Sequence, residues 1–269
     1  MKQLVRNVHI IGTGSYIPET VYTNEYLETI VPTSAKWIEE NLGIKERRIA
    51  LPNQKTSDLA AEAGKKAIEN AGLKPDDIEL IIVATATPDR LAPSTAAIVQ
   101  DKLKAYNSVA FDLAAVCSGF LFGISTASQF IATSVYNNAL IIGADTFSKI
   151  IDWSRRDCVF FGDGAGAAVL SHTETDGGFL AFRLYTDGRG KWNFTIPGGG
   201  SEFPLSYENV DAGYRYFQMN GKAVYETGVK VLPKAIWQVL KDTGLSINDI
   251  DYMIPHQPSI KILKDTAEI

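Results

Sequence analysis

Apolar and polar positions along this chain change period repeatedly, and the changes predict alternating strands and helices. Residues 8–14, Val-His-Ile-Ile-Gly-Thr-Gly, read as a strand running into a glycine turn. From Ser57, a candidate N-cap, the apolar residues Leu59, Ala60, Ala63, Ala67, Ile68 and Ala71 recur on one helical face, and Gly72 stands just past the end. Residues 78–84, Ile-Glu-Leu-Ile-Ile-Val-Ala, are apolar at successive positions over a strand's length, as expected where helices cover both faces of a sheet. Further strands are expected near 108–112, 139–143 and 165–171, with helices near 94–103 and 119–135 between them. Such alternation implies α/β layering.

A longer pattern repeats. The run Ala71-Gly-Leu-Lys-Pro-Asp-Asp-Ile-Glu-Leu-Ile-Ile-Val is echoed by Thr243-Gly-Leu-Ser-Ile-Asn-Asp-Ile-Asp-Tyr-Met-Ile-Pro. In each copy a helix, the second expected over 221–241, ends at Gly-Leu, passes an acidic turn and enters a buried strand. Two duplicated α/β halves follow, assigned to 1–172 and 173–269. After the second copy only residues 259–269 remain, and they stop inside the amphipathic pattern Ile260, Ile262, Leu263, Ala267. The second half is therefore expected to be incomplete and the chain to be a fragment. Between the halves, 173–178 reads as a polar connector and 188–211, with Gly198-Gly199-Gly200, as a long surface excursion covering an active site.

Composition narrows the function classes. With 45% hydrophobic and 21% charged residues among 269, the chain can bury a large core. A net charge of -5 without a Lys/Arg cluster argues against a nucleic-acid partner. The longest apolar runs, 80–84 and 139–142, fall far below the roughly 20 residues that cross a bilayer, so no membrane insertion is expected. Residues 1–7 lack the apolar stretch of a secretion signal, which places the protein in the cytoplasm. Two cysteines exclude a disulfide framework and are too few for a structural zinc site, so no metal is expected.

Those two cysteines differ in context. Cys117 follows the strand near 109–113 and precedes Ser118-Gly119 and a helical run, which predicts a thiol at a helix N-terminus. The helix dipole and free N–H groups there favour a thiolate, the form that attacks a carbonyl carbon. Cys158, beside Val159-Phe160-Phe161, reads as packing. His256 ends the second copy of the repeated strand between Pro255 and Pro258, and strand ends are where open α/β sheets bind ligands. It is the natural acid, base or hydrogen-bond donor to accompany the cysteine. His9 and His172 read as structural. Gly12 and Gly14 do not make a dinucleotide fingerprint, because Ile17 holds the third glycine position and Pro18 follows. The run 161–167, Phe-Gly-Asp-Gly-Ala-Gly-Ala, lacks the Gly-Lys-Ser/Thr ending of a phosphate loop and suits close backbone packing beneath a site.

Five motifs stand in order: Trp37-Ile-Glu-Glu-Asn-Leu-Gly-Ile-Lys-Glu-Arg-Arg-Ile, Ala114-Ala-Val-Cys117-Ser-Gly-Phe, Phe161-Gly-Asp-Gly-Ala-Gly-Ala-Ala-Val-Leu, Met219-Asn-Gly-Lys-Ala-Val-Tyr and Pro255-His256-Gln257. Together they resemble β-ketoacyl-acyl carrier protein synthase III, a branch of the thiolase-fold condensing enzymes, across essentially the whole chain. The resemblance implies an α/β thiolase-like fold of two duplicated halves in five layers, and a cytoplasmic homodimer. It implies an acyltransferase of fatty-acid or polyketide-type initiation that uses acyl-CoA and malonyl-acyl carrier protein as substrates, with no tightly bound cofactor. Cys117 would carry the acyl thioester, and His256 would hydrogen-bond the malonyl thioester oxygen. Trp37 and Arg155 match positions that hold the adenine end of CoA, and Phe161 one near the catalytic pocket. Ser259 and Lys261 lie in the segment linked to the pantetheine arm and carrier protein, where the family more often has Asn and Arg; Asn41 likewise stands in place of an Arg. Ala92 matches a position, often bulkier, that reaches into the partner subunit's acyl pocket, which implies a primer longer than acetyl. The family's third catalytic residue, an Asn, would lie beyond Ile269. Acyl transfer without carbon–carbon bond formation and a noncatalytic partner subunit are the alternative functions.

Overall fold

The computed structural model describes residues 6–269, so the opening of the segment read for a secretion signal, residues 1–5, lies outside the described residues. Along the chain the strands and helices are β1 (Asn7–Tyr16), β2 (Thr20–Thr23), α1 (Asn24–Glu28), α2 (Ala35–Leu42), β3 (Glu46–Ile49), α3 (Thr56–Asn70), β4 (Leu80–Ala84), α4 (Thr95–Leu103) and β5 (Val109–Leu113). They continue with α5 (Gly119–Ala132), β6 (Asn138–Thr146), β7 (Asp163–Thr173), β8 (Phe194–Thr195), α6 (Tyr207–Asp211), β9 (Gln218–Met219), α7 (Gly221–Thr243) and α8 (Ile260–Ala267). Two compact units divide them. One holds the residues up to Val21, Arg48–Phe147 and Gly162–Phe182; the other holds Tyr22–Arg47, Ser148–Phe161 and Arg183–Ile269. Neither is contiguous, so the linear division at 172 and 173 is crossed in both directions: the chain through Phe182 stays with the first unit, and two earlier excursions belong to the second.

The first unit is a five-stranded sheet in the order β1-β7-β6-β4-β5. β4 runs parallel to β5 and to β6, whereas β7 runs antiparallel to β6 and to β1. All five residues of β4 are buried, as its unbroken apolar run predicts. Its alternate side chains serve two cores. Ile81 and Val83 join Leu140, Ile142 and Val169 under α3 and α4, while Leu80 and Ile82 join Ile141 and Leu170 under Ile124, Ala127 and Ile131 of α5. Helices thus cover both faces.

Small residues set how closely the layers approach. A Cβ added at Gly12 would lie 2.5 Å from the Ala67 carbonyl oxygen, and one at Gly14 would lie 2.3 Å from that of Ala63. The glycines read from the sequence as a turn are therefore the surface on which α3 lies against β1. Ser57 is not the N-cap of α3, because the helix starts one residue earlier and Lys55 caps it. Asp58 accepts from the Lys55 N–H, and Ser57, already inside the helix, donates to Asp89.

In the second unit the repeated motif reproduces its turn. Gly72 and Gly244 both adopt left-handed φ, +70° and +71°, just after a helix. The following leucine N–H reaches back to the helix in each copy, Leu73 to Ile68 and Leu245 to Leu240, at 3.1 Å. A short 3-10 turn comes next in both. Past that point the copies part. Residues 250–257 form no strand, and Tyr252 and Ile254 are 88% and 94% exposed. The buried second strand read from the sequence is absent because a strand exists only through a ladder, and no described strand pairs with this segment. The excursion over 188–211 carries a 3-10 turn, β8 and α6. β8 pairs antiparallel with β9, which leads into α7.

Candidate active site

Cys117 sits where the parallel strands end. After β5, a 3-10 turn over Val116–Ser118 leads directly into α5, so the thiol stands at the entry of that helix, as expected. Val116 has φ +46°, a left-handed conformation that costs a β-branched residue strain on the order of 1–3 kcal/mol. The turn is tight because α5 starts against β4: a Cβ at Gly119 would lie 2.8 Å from the Ala84 Cβ, and one at Gly123 2.8 Å from the Ile141 Cγ2. The residue Cys117 itself is exposed, whereas Cys158 is fully buried.

The electrostatics differ from the sequence expectation of a ready thiolate. Desolvation first, then the Asp145 carboxylate, push the Cys117 thiol above its ordinary value, and a backbone hydrogen bond opposes them only in part. Cys158 is pushed up further, to about 11, chiefly by burial, which agrees with its reading as packing.

Asp145 was not singled out in the sequence, although it follows an apolar strand run at the end where ligands bind. One oxygen, Oδ1, accepts from the Thr85 hydroxyl at 3.1 Å, the Ala86 N–H at 2.8 Å, the Thr87 N–H at 3.1 Å and the Thr87 hydroxyl at 2.9 Å. Burial raises the carboxyl above its usual range and these four donors lower it. Two more carboxylates secure the chain beyond Thr87. Asp89 accepts from the Ser57 N–H and hydroxyl, and Asp112 of β5 accepts from the Thr95 and Ala96 N–H groups that open α4. Ala92 lies between these anchor points, exposed.

The remaining expected residues belong to the second unit. Trp37 lies on α2, and the guanidinium over its ring, 3.9 Å from the centroid, is that of Arg156. Arg155 instead pairs with Asp157 at 2.8 Å. The sequence pattern holds two adjacent arginines, and only the geometry separates them. Asn41 donates to the Trp37 carbonyl at 2.9 Å, a bond within α2. Arg47, 5% exposed, holds the segment bearing Arg156 by donating to the Val159 carbonyl at 3.1 Å and to Asn24 Oδ1 at 2.9 Å. Phe161 packs against Phe217 and Phe194, with ring centroids 4.9 and 6.4 Å away. Ser259 caps α8, accepting from the Ile262 N–H at 3.3 Å. Lys261, one turn from Asp265, pairs with it at 3.0 Å. His256 is exposed in the extended segment before α8, and desolvation by surrounding protein lowers its imidazole below the ordinary value. Ala92 and Cys117 fall in the first unit; Trp37, Arg155, Phe161, His256, Ser259 and Lys261 fall in the second.

Comparison with known proteins decides the family. A β-ketoacyl-[acyl-carrier-protein] synthase III of Caldanaerobacter subterraneus is 51% identical over 256 residues, covering 95% of this chain and 77% of the relative. The chain belongs to the β-ketoacyl-[acyl-carrier-protein] synthase III family. The family model for 3-oxoacyl-[acyl-carrier-protein] synthase III matches residues 111–188, which include Cys117. A Clostridium acetobutylicum synthase III is 46% identical over 98% of this chain and 81% of its own length. The crystal structure of the Aquifex aeolicus synthase III superposes with a TM-score of 0.89 at 38% identity, covering 97% of this chain and 80% of that one. A priming β-ketosynthase from the R1128 polyketide pathway gives a TM-score of 0.87 at 28% identity, over 98% and 78%. The α/β fold is accordingly that of the thiolase-fold synthases, and the chain is a synthase III-type condensing enzyme.

Proposed function

We propose that Cys117 accepts an acyl group from acyl-CoA and passes it to a malonyl-acyl carrier protein. The observation that carries this reading is the place of Cys117, an exposed residue at a strained turn into α5, at the carboxyl end of parallel strands. In the first step the thiol attacks the thioester carbonyl, the Cys117 sulfur–carbon bond forms, CoA leaves, and its thiolate takes the cysteine's proton. In the second, malonyl-acyl carrier protein loses carbon dioxide. The carbanion so formed attacks the acyl-enzyme carbonyl, a carbon–carbon bond forms, and the Cys117 thiolate departs and is reprotonated. His256, kept neutral by partial desolvation, donates a hydrogen bond to the malonyl thioester oxygen as negative charge gathers there.

Substrate contacts follow the family pattern. Trp37, with Arg156 over its ring and Arg155 adjacent, takes the adenine end of CoA, because a guanidinium over an indole offers two planar faces for a heteroaromatic ring. Phe161 lines the catalytic pocket. Ser259 and Lys261 serve the pantetheine arm and an acidic carrier protein, Lys261 contributing a point charge and not the fork of Arg. Ala92 shapes the acyl pocket of a partner subunit and admits primers longer than acetyl. The enzyme works in the cytoplasm as a homodimer; β5, an edge strand whose Val109 is 49% exposed, supplies an open ladder for a second copy. Among the described residues no helix is long and apolar enough to cross a membrane.

Intact-mass measurement after incubation with acyl-CoA tests the reading. One acyl adduct, mapped to Cys117 and absent from Cys117→Ala, is expected, and malonyl-acyl carrier protein discharges it. His256→Ala acquires the adduct but does not discharge it with decarboxylation. No adduct on the wild-type chain would refute the nucleophile, and an adduct discharged to simple acceptors but not by malonyl-acyl carrier protein would point to acyl transfer alone.

A further inference from the structure

Helix α8 lays one face on α7 and turns a charged flank outward. Ile262 and Thr266, one turn apart, are buried, and Ile262 packs where Gly228 of α7 leaves room: a Cβ added at Gly228 would lie 3.5 Å from the Ile262 Cγ2. Lys261 and Asp265, each one position earlier, fall beside that face and one above the other. There the Asp265 carboxylate serves two donors. Its Oδ2 accepts from the Tyr225 hydroxyl of α7 and, at 3.0 Å, from the Lys261 ammonium, which stands over the Tyr225 ring, 5.1 Å from its centroid. The arrangement keeps both ions charged. Tyr225 first, then Lys261, hold Asp265 below the ordinary carboxylate range, while Asp265 first, then Tyr225, hold Lys261 above the ordinary ammonium value. The neighbouring charges on α7, Lys222 and Glu226, pair with each other at 3.8 Å. Lys261 stays within reach of a partner, since its side chain is 56% exposed and that of Asp265 30%. An exposed ion pair at this spacing is worth only about a factor of two in an equilibrium, so it opens readily to a competitor.

We propose that Asp265 is an internal counterion that restrains carrier-protein docking: anchored by Tyr225, it occupies the Lys261 ammonium in the free enzyme and gives it up to a carboxylate of the acidic carrier protein. The exchange leaves Asp265 in place. It loses the Lys261 bond on docking but keeps the Tyr225 one, so its negative charge remains beside the incoming carboxylate and opposes it. Docking is therefore weaker than Lys261 alone would allow, and quicker to reverse. That suits a partner that must leave after each turnover.

This inference rests on the reading of Lys261 as a carrier-protein contact, and the outcomes of one experiment separate the two. Binding of holo-acyl carrier protein to the full chain is measured by fluorescence anisotropy over a series of salt concentrations, with thermal unfolding as the check on folding. Asp265→Asn removes the charge and keeps an acceptor for Tyr225 and Lys261. It is expected to tighten binding about two- to fivefold at low ionic strength, the gain fading as salt screens the charges. Lys261→Gln is expected to weaken binding, and adding Asp265→Asn to it should bring little of the gain seen in the wild-type background. Asp265→Ala repeats the measurement should the Asn variant not fold. A merely structural role for Asp265 would not tighten binding, so unchanged or weaker binding by the folded neutral variants overturns the proposal, as does an equal gain without Lys261. Binding that Lys261→Gln leaves untouched would instead fault the assignment of Lys261 to the carrier protein, and the counterion role would fall with it.

Discussion

Replacing Gly119 by Ala tests whether the approach of α5 to β4 sets the position of the thiol. The backbone at Gly119 is ordinary right-handed helix, φ -56° and ψ -40°, so Ala meets no conformational penalty there. Helix propensity favours Ala by roughly 0.5–1 kcal/mol. The added methyl, however, would lie 2.8 Å from the Ala84 Cβ. Carbon atoms settle near 3.5–4.0 Å, so about 0.7–1.2 Å must be recovered by moving the helix start away from the strand. Overpacking of this kind costs about 1–3 kcal/mol, leaving a net loss of about 0–2.5 kcal/mol. Because Cys117 lies two residues before Gly119, the same displacement carries the thiol. A misplacement of about 1 Å can reduce a reaction on the order of a hundredfold. Urea unfolding and the single-turnover rate of acyl adduct formation are the assays, with the rate expected to fall much more than the stability. The double variant Ala84→Gly/Gly119→Ala removes the obstructing methyl and should recover most of the rate, giving a favourable coupling in the cycle. Normal acylation in Gly119→Ala, or no rescue by Ala84→Gly, would show that helix approach does not place the nucleophile.

Three further outcomes are expected. Arg47→Met keeps an apolar stem but leaves Asn24 Oδ1 and the Val159 carbonyl without their buried donor, so urea unfolding should report a loss of about 2–4 kcal/mol; a change under 0.5 kcal/mol contradicts this account of the buried guanidinium. The His256 imidazole lies below its ordinary 6.5, so its neutral form survives as pH falls past that value and protonates only lower. The acid limb of malonyl discharge in the wild type should accordingly lie below pH 6.5, and a limb at or above that value would refute the role given to His256. Ala92→Phe should shift primer preference toward acetyl-CoA, and a wild type already turning over acetyl-CoA much faster than medium-chain donors would refute the role given to Ala92.

Much of the first unit is legible in the sequence because its code is local and redundant. Apolar runs at 80–84 and 139–143 can satisfy their side chains only inside a covered sheet, and both form strands there. Gly72 and Gly244 encode the same left-handed stop twice, and the structure builds the same turn twice. The strand after the second turn was misread because a ladder depends on a partner strand, which no local pattern contains. Cys117 could be found from its place between strand and helix. The upward push on its thiol could not, since burial, the first cause, and the Asp145 carboxylate, 28 residues away on another strand, both arise only in the folded chain. Arg155 and Arg156 are equivalent by composition, and only the path of the backbone selects which one lies over Trp37.

Val116 carries a consequence of a different kind. A β-branched residue at φ +46° beside Cys117 means that the most stable sequence for this turn is not the one present. Glycine would relax the backbone and, in the same move, loosen the entry to the helix on which the thiol depends. With Cys117 as the proposed nucleophile, selection for thermal stability alone would drift toward that glycine at the cost of acylation, so position 116 is where durability and turnover would pull the sequence in opposite directions.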